Sequence, residues 1–263
     1  MRTCVVIPHF LVTEELVSLA KSAIGSFRES TDAFLISVDD SGEYGKPAGA
    51  DEVLALSDVV VTNRENSGFA RTCNAGYKWI QDNVKEDCFV VFANNDILVH
   101  NRVLPALQEP FAMFENVAFT GILSSKEIKY DGVPLKDVNL RGMAEGGQFR
   151  DWMQDGGLVC TKKSILEKIG SYDEQFIRGG YEDVDLFLRA RDTFGMKIIM
   201  NGTAMYWHKQ GATRWNCENN GIINDFGRES KSIETENLDK FIKKWGYNPH
   251  VRNPWKNMDI WNA

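Results

Sequence analysis

The feature that most constrains the fold is the alternation of short apolar runs with helical periodicity in the first part of the chain. Apolar, β-branched runs occur at residues 4–8, 34–38, 59–61 and 89–92. Apolar residues at helical spacing occupy the stretches between them, notably residues 13–27 and 69–80. This alternation predicts an α/β fold, a Rossmann-like αβα sandwich around a mostly parallel central sheet.

Polar clusters follow three of these predicted strands. The clusters are Pro8-His9, Asp39-Asp40 and Asn94-Asn95-Asp96. In parallel α/β sheets, ligands bind outside the carboxyl ends of the strands. A single polar strand end is common, but three at the same edge predict a binding site.

Each carboxylate in these clusters has two possible roles. Asp96 offers the hard oxygen ligand that Mg²⁺ or Mn²⁺ prefers, particularly with a diphosphate nearby, but Asn-Asn-Asp is also good turn sequence. Asp39 and Asp40 could accept hydrogen bonds from a ribose hydroxyl or a base N–H. Alternatively, they begin a turn that Ser41 and Gly42 complete.

The entrance of the second predicted helix is built from small residues. Gly68 and Ala70 would let backbone N–H groups approach a phosphate, and Arg71 adds a cation there. By themselves, these residues are more typical of a helix entrance with small residues for close packing.

Three carboxylates gather at a later predicted helix start, where Glu182, Asp183 and Asp185 fall within four positions. Acidic residues in a first helical turn complement the helix dipole and cap free N–H groups. A carboxylate held at a cleft can instead take a proton from an attacking hydroxyl. His208, just beyond a predicted strand at 197–200, is either a packed side chain or a metal ligand.

The second half of the chain is less regular. Residues 122–148 lack a clear period, which predicts a mobile or substrate-facing segment. Helices are predicted at 163–169 and near 233–245. The polar and aromatic tail from residue 215 is expected to cover the acceptor side or form an oligomer contact.

Composition narrows the class of protein. The 263 residues carry a net charge of −7, which provides no general attraction to nucleic acid or anionic lipid. No apolar run approaches the ~20 residues of a membrane span, and the N-terminus lacks a signal-peptide layout. The five scattered cysteines form no CxxC pair, so neither a zinc site nor a disulfide framework is indicated. We therefore expect a cytoplasmic protein without integral membrane contact.

In this order, the clusters resemble the family 2 inverting glycosyltransferases of the GT-A fold, and their rhamnosyltransferase-like branch in particular. The resemblance runs from residue 4 to about residue 213 and rests on an ordered set of short motifs. These are the opening strand with Pro8, Val38-Asp39-Asp40-Ser41, Asn66-x-Gly68-Phe69-Ala70 with Asn74-x-Gly76, Asn94-Asn95-Asp96, Glu182-Asp183-x-Asp185-Leu186 with Arg189, and His208-x-x-Gly211-x-Thr213.

The resemblance implies a UDP- or dTDP-sugar donor, a bound Mn²⁺ or Mg²⁺ and a single displacement that inverts the anomeric carbon. Asp96 matches the last acid of the family's Asp-x-Asp motif, with Asn94 replacing the first, so His208 is expected to join it at the metal. The residues implied in donor binding are Pro8, Asp39, Asp40, Asn66, Gly68, Arg71, Asn74, Asn94 and Asn95.

On the acceptor side, Asp183 matches the family's catalytic base and Glu182 is its nearest rival. Trp152, Asp155 and Gly156 stand where the family places acceptor contacts. A saccharide is the expected acceptor; a lipid-linked glycan, a protein side chain or a modified DNA base stays open.

The implied organisation is a GT-A domain over residues 1–214. Its nucleotide-sugar half ends near 121 and its acceptor half spans 122–214, and an extension at 215–263 packs on the same domain.

Two other functions were weighed. A non-catalytic sugar-nucleotide or glycan binding module would keep the same fold. A nucleotidyltransferase usually has a Gly-rich, basic loop after the first strand, and residues 9–12 do not supply one.

Overall fold

The structure is a computed structural model that describes residues 1–130, 133–134, 149–151, 156–222, 226–251 and 260–261. The strands are β1 Thr3–His9, β2 Phe34–Asp39, β3 Val59–Thr62, β4 Phe89–Ala93, β5 Ile97–Leu98, β6 Val117–Ser125, β7 Lys129–Tyr130, β8 Val133–Pro134, β9 Phe149–Asp151, β10 Leu158–Lys162, β11 Lys197–His208 and β12 Ile260–Trp261. The helices are α1 Glu14–Ser30, α2 Ala50–Leu54, α3 Phe69–Asn83, α4 Val103–Met113, α5 Lys163–Ile169, α6 Glu182–Leu188, α7 Ala212–Asn219 and α8 Phe226–Trp245.

The elements predicted from periodicity are confirmed. The four predicted strands lie within β1 to β4, and the helices expected at 13–27 and 69–80 are α1 and α3. Thr13 caps α1, because its Oγ1 accepts a hydrogen bond from the Leu16 N–H at 3.2 Å. The strand expected at 197–200 continues as β11 to His208, and the helix expected near 233–245 begins earlier, at Phe226.

The central sheet has ten strands in the order β12-β9-β11-β6-β10-β4-β1-β2-β3, with β5 pairing to β11. The β4-β1-β2-β3 portion is parallel throughout. β6 and β11 also pair in parallel, so the expectation of a mostly parallel sheet is confirmed for β4-β1-β2-β3 and for β6-β11, whereas β10 between them runs antiparallel to both β4 and β6. This reversal sets the start of β10 beside the carboxyl end of β4, where Leu158 pairs with Ala93.

Apolar side chains project from both faces of the sheet, because successive side chains of a strand point to opposite faces. Cys4 and Val6 of β1 belong to the core that includes residues of α3, α5 and α6, whereas Val5 and Ile7 pack with α1, α2 and α4. Gly76 allows α3 to approach closely, because a Cβ there would lie 2.4 Å from Val6 Cγ1. The chain is therefore an αβα sandwich.

The C-terminal elements join this body. Phe241 of α8 is fully buried in the core shared with α3 and α6, and β12 pairs with β9 at the edge of the sheet. Within the described residues, no helix combines the length and the apolar character needed to cross a membrane.

Candidate active site

A cavity of about 330 Å³ opens at the carboxyl ends of β1 and β4. Its lining comes from the strand ends, the α3 entrance, the segment before α6 and the start of α7. The lining residues are Pro8, His9, Phe10, Asp40, Asn66, Gly68, Phe69, Thr72, Asn94, Asn95, Asp96, Arg178, Gly211, Ala212, Thr213 and Arg214. The structure thus brings together all three polar strand ends singled out in the sequence.

Asp96 and His208 meet at the edge of this cavity. Asp96 Oδ1 lies 3.2 Å from His208 Nε2, and Asn94 Nδ2 lies at the same distance from that nitrogen. The antiparallel pairing of β11 with β5 places His208 opposite Ile97, the residue after Asp96. Both side chains are buried, and His208 Nδ1 has no hydrogen-bond partner in the described part of the chain. The same part contains no cluster of three or more His, Cys, Asp or Glu side chains suited to a metal ion.

A glycine pair separates this couple from the acidic helix start. The Gly156 N–H donates to Asp183 Oδ2 at 3.1 Å, and the Asn94 N–H donates to the Gly157 carbonyl at 2.9 Å. A Cβ on Gly157 would lie 2.7 Å from His208 Cε1, so only glycine fits there without displacement. We call Gly156 and Gly157 the glycine bridge.

The two neighbouring acids at the start of α6 have different surroundings. Asp183 is partly exposed, and its Oδ1 accepts the Val184 N–H at 2.7 Å. Glu182 is buried, and its Oε2 has no hydrogen-bond partner among the described residues. Burial, reinforced by the charge of Asp183, raises the pKa of Glu182 to about 8. The protonated form of Glu182 is therefore favoured.

The third acid of the cluster is a structural anchor. Asp185 is fully buried and accepts hydrogen bonds from Arg189 Nε at 2.9 Å and from Trp245 Nε1 at 3.0 Å. Lys244 Nζ adds an ion pair at 2.7 Å. Two cations and an indole N–H thus satisfy this carboxylate, which ties α6 to α8.

The α3 entrance differs from the expectation of free N–H groups facing a phosphate. The N–H groups of Ser67 and Gly68 donate to the Asp40 carboxylate at 3.0 and 2.9 Å, and the Phe69 N–H donates to the Arg178 carbonyl at 3.1 Å. The Asp40 carboxylate therefore covers the helix start, and these three N–H groups are already engaged in hydrogen bonds within the protein. Gly68 is required for another reason, because its φ is +80° and a Cβ would lie 2.6 Å from Arg178 Cα.

Asp39 does not line the cavity, although its neighbour Asp40 does. Its Oδ1 accepts the Ser41 N–H at 3.0 Å and its Oδ2 pairs with Lys46 Nζ at 2.6 Å. Burial alone would raise the pKa of Asp39, but the hydrogen bonds from Lys46 and Ser41 outweigh it and hold that pKa below its usual range. Its carboxylate is thus ionised and already engaged.

Two residues expected at the donor lie away from the cavity. Arg71 is about half exposed and pairs with Glu174 at 3.6 Å. Asn74 Nδ2 donates to the Tyr172 carbonyl and to Glu174, both at 2.9 Å. Both side chains project from α3 toward the segment that precedes α6. Trp152 and Asp155, expected at the acceptor, lie outside the described residues.

Several cavity residues were not singled out from the sequence. Phe10 follows β1 and contacts Tyr44 edge to face, with the ring centroids 5.3 Å apart. Arg178 precedes Gly179 and Gly180. These two consecutive glycines next to the acidic cluster could have indicated an unusual backbone conformation there. Arg214 directly follows the motif that begins at His208, so extending that motif by one residue would have included it.

Comparisons with known proteins find likeness in structure. No family model matches the chain, and no curated protein matches it. GalNAc-T7 solved with UDP, GalNAc and Mn²⁺ aligns with a TM-score of 0.59 and 16% identity over 79% of this chain and 43% of that one. The mannosyltransferase PcManGT from Pyrobaculum calidifontis, solved with GDP-Man and Mn²⁺, aligns with a TM-score of 0.56. The identity is 15% over 88% of this chain and 64% of that one. S. aureus TarS aligns with a TM-score of 0.52 and 14% identity over 86% of this chain and 39% of that one.

These identities establish the fold and nothing finer, and the chain spans less than two thirds of the length of each of these three proteins. The mixed α/β architecture around a central sheet matches the first two proteins, both GT-A-type. The chain therefore has the GT-A fold of glycosyltransferases.

Proposed function

We propose that this protein is an inverting glycosyltransferase that moves a sugar from a nucleoside-diphosphate donor to an acceptor hydroxyl, with a divalent metal at Asp96 and His208. One observation carries the proposal. A carboxylate and an imidazole meet at the edge of the strand-end cavity, and a partly exposed carboxylate, Asp183, lies across the glycine bridge from them.

The donor atoms at Asp96 and His208 fit a divalent cation. Carboxylate oxygen and imidazole nitrogen both suit Mn²⁺. Asp96 Oδ1 and His208 Nε2 lie 3.2 Å apart, close enough for one cation to contact both. The diphosphate of the donor would supply further oxygen ligands, as is usual for metals that bind with phosphate. When bound, the metal supplies positive charge against the leaving diphosphate.

Two arginines on the cavity wall supply further positive charge. Arg178 comes from the segment before α6 and Arg214 from the start of α7, so two separate elements bring cations to one cavity. Guanidinium groups bind phosphate oxygens through paired N–H donors. We assign both to the diphosphate. Phe10, supported by Tyr44, offers an aromatic surface for the nucleobase, which we take to be that of UDP or dTDP.

Asp183 is the proposed general base. As the acceptor oxygen forms its bond to the anomeric carbon, the bond from that carbon to the diphosphate oxygen breaks, and the hydroxyl proton moves to the Asp183 carboxylate. The nucleoside diphosphate leaves with the electron pair of the broken bond. Burial raises the pKa of Glu182 and so favours its protonated form, which makes Asp183 the better candidate for the base.

A thermal-shift screen of UDP-, dTDP- and GDP-sugars, each with and without Mn²⁺, tests the donor and the metal together. We expect a rise in the melting temperature with one nucleotide class, larger when Mn²⁺ is present. The stabilising donor then enters a transfer assay with saccharide acceptors, and the anomeric configuration of the product is read by NMR.

The outcomes separate the candidate functions. A product with inverted configuration supports the proposal, and a retained configuration overturns the single displacement. Donor binding without transfer or donor hydrolysis across a broad acceptor panel would favour the non-catalytic binding module. No stabilisation by any nucleotide sugar would overturn both.

A further inference from the structure

The segment before the acidic pair has an unusual backbone. Arg178, Gly179, Gly180 and Tyr181 have φ values of +59°, +157°, +106° and +70°. The described residues contain four non-glycine residues with positive φ, and two of them lie in this run. Such conformations persist only when the surrounding structure imposes them. We call residues 178–181 the strained loop; it ends where α6 begins with Glu182 and Asp183.

One buried amide from α8 holds the start of this loop. Asn237 is fully buried, and its Oδ1 accepts the Ile177 N–H at 3.2 Å. Its Nδ2 donates to the Ile177 carbonyl at 2.9 Å and to the Gly179 carbonyl at 3.1 Å. The Asn237 side chain therefore satisfies three backbone groups of a segment sixty residues away in sequence, as a neighbouring strand would.

The same face of α8 also contacts residues that flank the acidic pair, Glu182 and Asp183. Asn237, Phe241 and Trp245 recur every four residues, so they project from one side of the helix. The Phe241 ring packs against Tyr181, the last residue of the strained loop, with centroids 5.7 Å apart. The Trp245 indole N–H donates to Asp185 at 3.0 Å. Contacts from this face thus reach residues before and after Glu182 and Asp183.

The strained loop also reaches the cavity directly. Arg178 lines the cavity, and its carbonyl accepts the Phe69 N–H at the α3 entrance. A change in the backbone of this loop would therefore move a cavity cation and the start of α6 together.

We propose that Asn237 is a positioning residue, and that through the strained loop it sets the placement of Arg178 and of Asp183 for sugar transfer. This inference rests on the proposed function for its effect on rate. Its first part, that Asn237 imposes the loop conformation, is measurable without any activity. It gives the C-terminal extension a role in catalysis that the resemblance to the glycosyltransferase family did not assign.

The variant Asn237→Ala removes all three hydrogen bonds, and Asn237→Asp keeps the acceptor for the Ile177 N–H while losing both donors. Asn201→Ala is a matched control. Asn201 is also fully buried and makes three hydrogen bonds, to Thr203, Ala106 and Glu109, remote from the strained loop. Both alanine variants delete the same amide from the interior, so losses caused by destabilisation alone affect both.

Hydrogen exchange followed by mass spectrometry and steady-state kinetics are run on the same samples of full-length protein. We expect Asn237→Ala to speed exchange at residues 177–183 at least tenfold relative to the rest of the chain, and to lower kcat tenfold or more. We expect Asn237→Asp to fall between wild type and the alanine variant in both. Asn201→Ala should leave both quantities within about twofold, measured per folded molecule.

A coupling measurement separates positioning from general stability. Gly180→Ala strains the loop without a steric clash, because no atom lies within 4 Å of the added Cβ. Combined with Asn237→Ala, it should lower kcat by less than the product of the two single effects, since both act on one loop. Combined with Asn201→Ala, the effects should multiply.

Unchanged exchange at residues 177–183 in Asn237→Ala would overturn the inference. Faster exchange with unchanged kcat would overturn the positioning role, as would multiplicative effects in the Gly180 pair. If the wild-type protein transfers no sugar from any donor, the proposed function fails and the effect on rate fails with it. The exchange measurement would then still decide whether Asn237 imposes the loop.

Discussion

The two sides of the candidate active site are held in place in different ways. On the donor side, Pro8, Asn94 and Asp96 sit at the ends of neighbouring strands, and hydrogen bonds of the sheet bring them together. On the acid side, Asp183 follows a strained loop that is supported by side chains of α8, far along the chain. The hydrogen bonds of the sheet therefore place the first group of residues, whereas the acid segment is placed by a few tertiary contacts.

The carboxylates on each side of the site do not all have the same role. Both sides contain carboxylates that serve structure: Asp40 covers the start of α3, and Asp185 anchors α8. Each side also contains one acid with a proposed chemical role, Asp96 next to His208 and Asp183 next to the glycine bridge. A carboxylate at a cleft is thus interpretable only after its hydrogen-bond partners are known.

The sharpest way to break the acid side is Asp183→Asn. The substitution keeps the shape of the side chain and removes its ability to take a proton. We expect kcat to fall about 10²–10⁴-fold, the usual contribution of a general base, with donor affinity within twofold of wild type. Asp192→Asn, in the exposed segment after α6, should leave turnover unchanged. Retained turnover in Asp183→Asn would remove this residue as the base.

Asp96→Ala tests the donor side in the same manner. Losing a carboxylate ligand should weaken Mn²⁺-dependent donor binding by at least about 10–100-fold, the loss caused even by changing outer partners of metal ligands. The readout is the increase in melting temperature that Mn²⁺ adds to the nucleotide sugar. Asp82→Ala, on the exposed face of α3, is the control. An unchanged Mn²⁺ response would exclude Asp96 from the metal.

Gly157→Ala probes the point where the two sides meet. The added Cβ would lie 2.7 Å from His208 and 2.8 Å from the Tyr206 hydroxyl, so we expect a loss of about 1–3 kcal/mol in the free energy of unfolding. The Mn²⁺ response should weaken as well, because His208 must move. Gly25→Ala, on α1 with no atom within 4 Å of its Cβ, should instead gain up to about 1 kcal/mol. Equal stability of the two variants in urea unfolding would contradict the packing seen at the glycine bridge.

The last prediction concerns the pH dependence of stability that the buried Glu182 causes. The pKa of Glu182 is raised from 4.5 to about 8 in the folded protein, so the native state keeps a proton that the unfolded chain loses. This contribution to stability is fully present below about pH 4.5 and is lost as the pH rises through about 8. The slope from this group is at most about 1.4 kcal/mol per pH unit.

Glu182→Gln should remove that slope from the pH dependence of urea unfolding. Glu86→Gln, on the surface, should keep the wild-type profile. A wild-type slope in Glu182→Gln would show that the Glu182 carboxyl is ionised at neutral pH and would return Glu182 to candidacy as the base.

Sequence patterns were sufficient for the parallel β4-β1-β2-β3 portion of the sheet and for several of the helices. The β1 to β4 strands and the helices α1, α3 and α5 follow from hydrophobic periodicity, which records the local contact of each element with the core. The direction of β10 does not follow from it. That direction depends on the route of the chain between β6 and β10, where no periodic signal exists.

By itself, the sequence determined that polar side chains would follow buried strands and meet at one edge of a sheet, because strand spacing and the direction of parallel strands fix where such ends lie. It could not determine which partners each carboxylate has. Asp39 and Asp40 share a strand end, and Glu182 and Asp183 share a helix start, yet hydrogen bonds and burial give each a different state. Those partners come from segments remote along the chain, and burial is a property of the packed molecule, so only the tertiary structure assigned the roles.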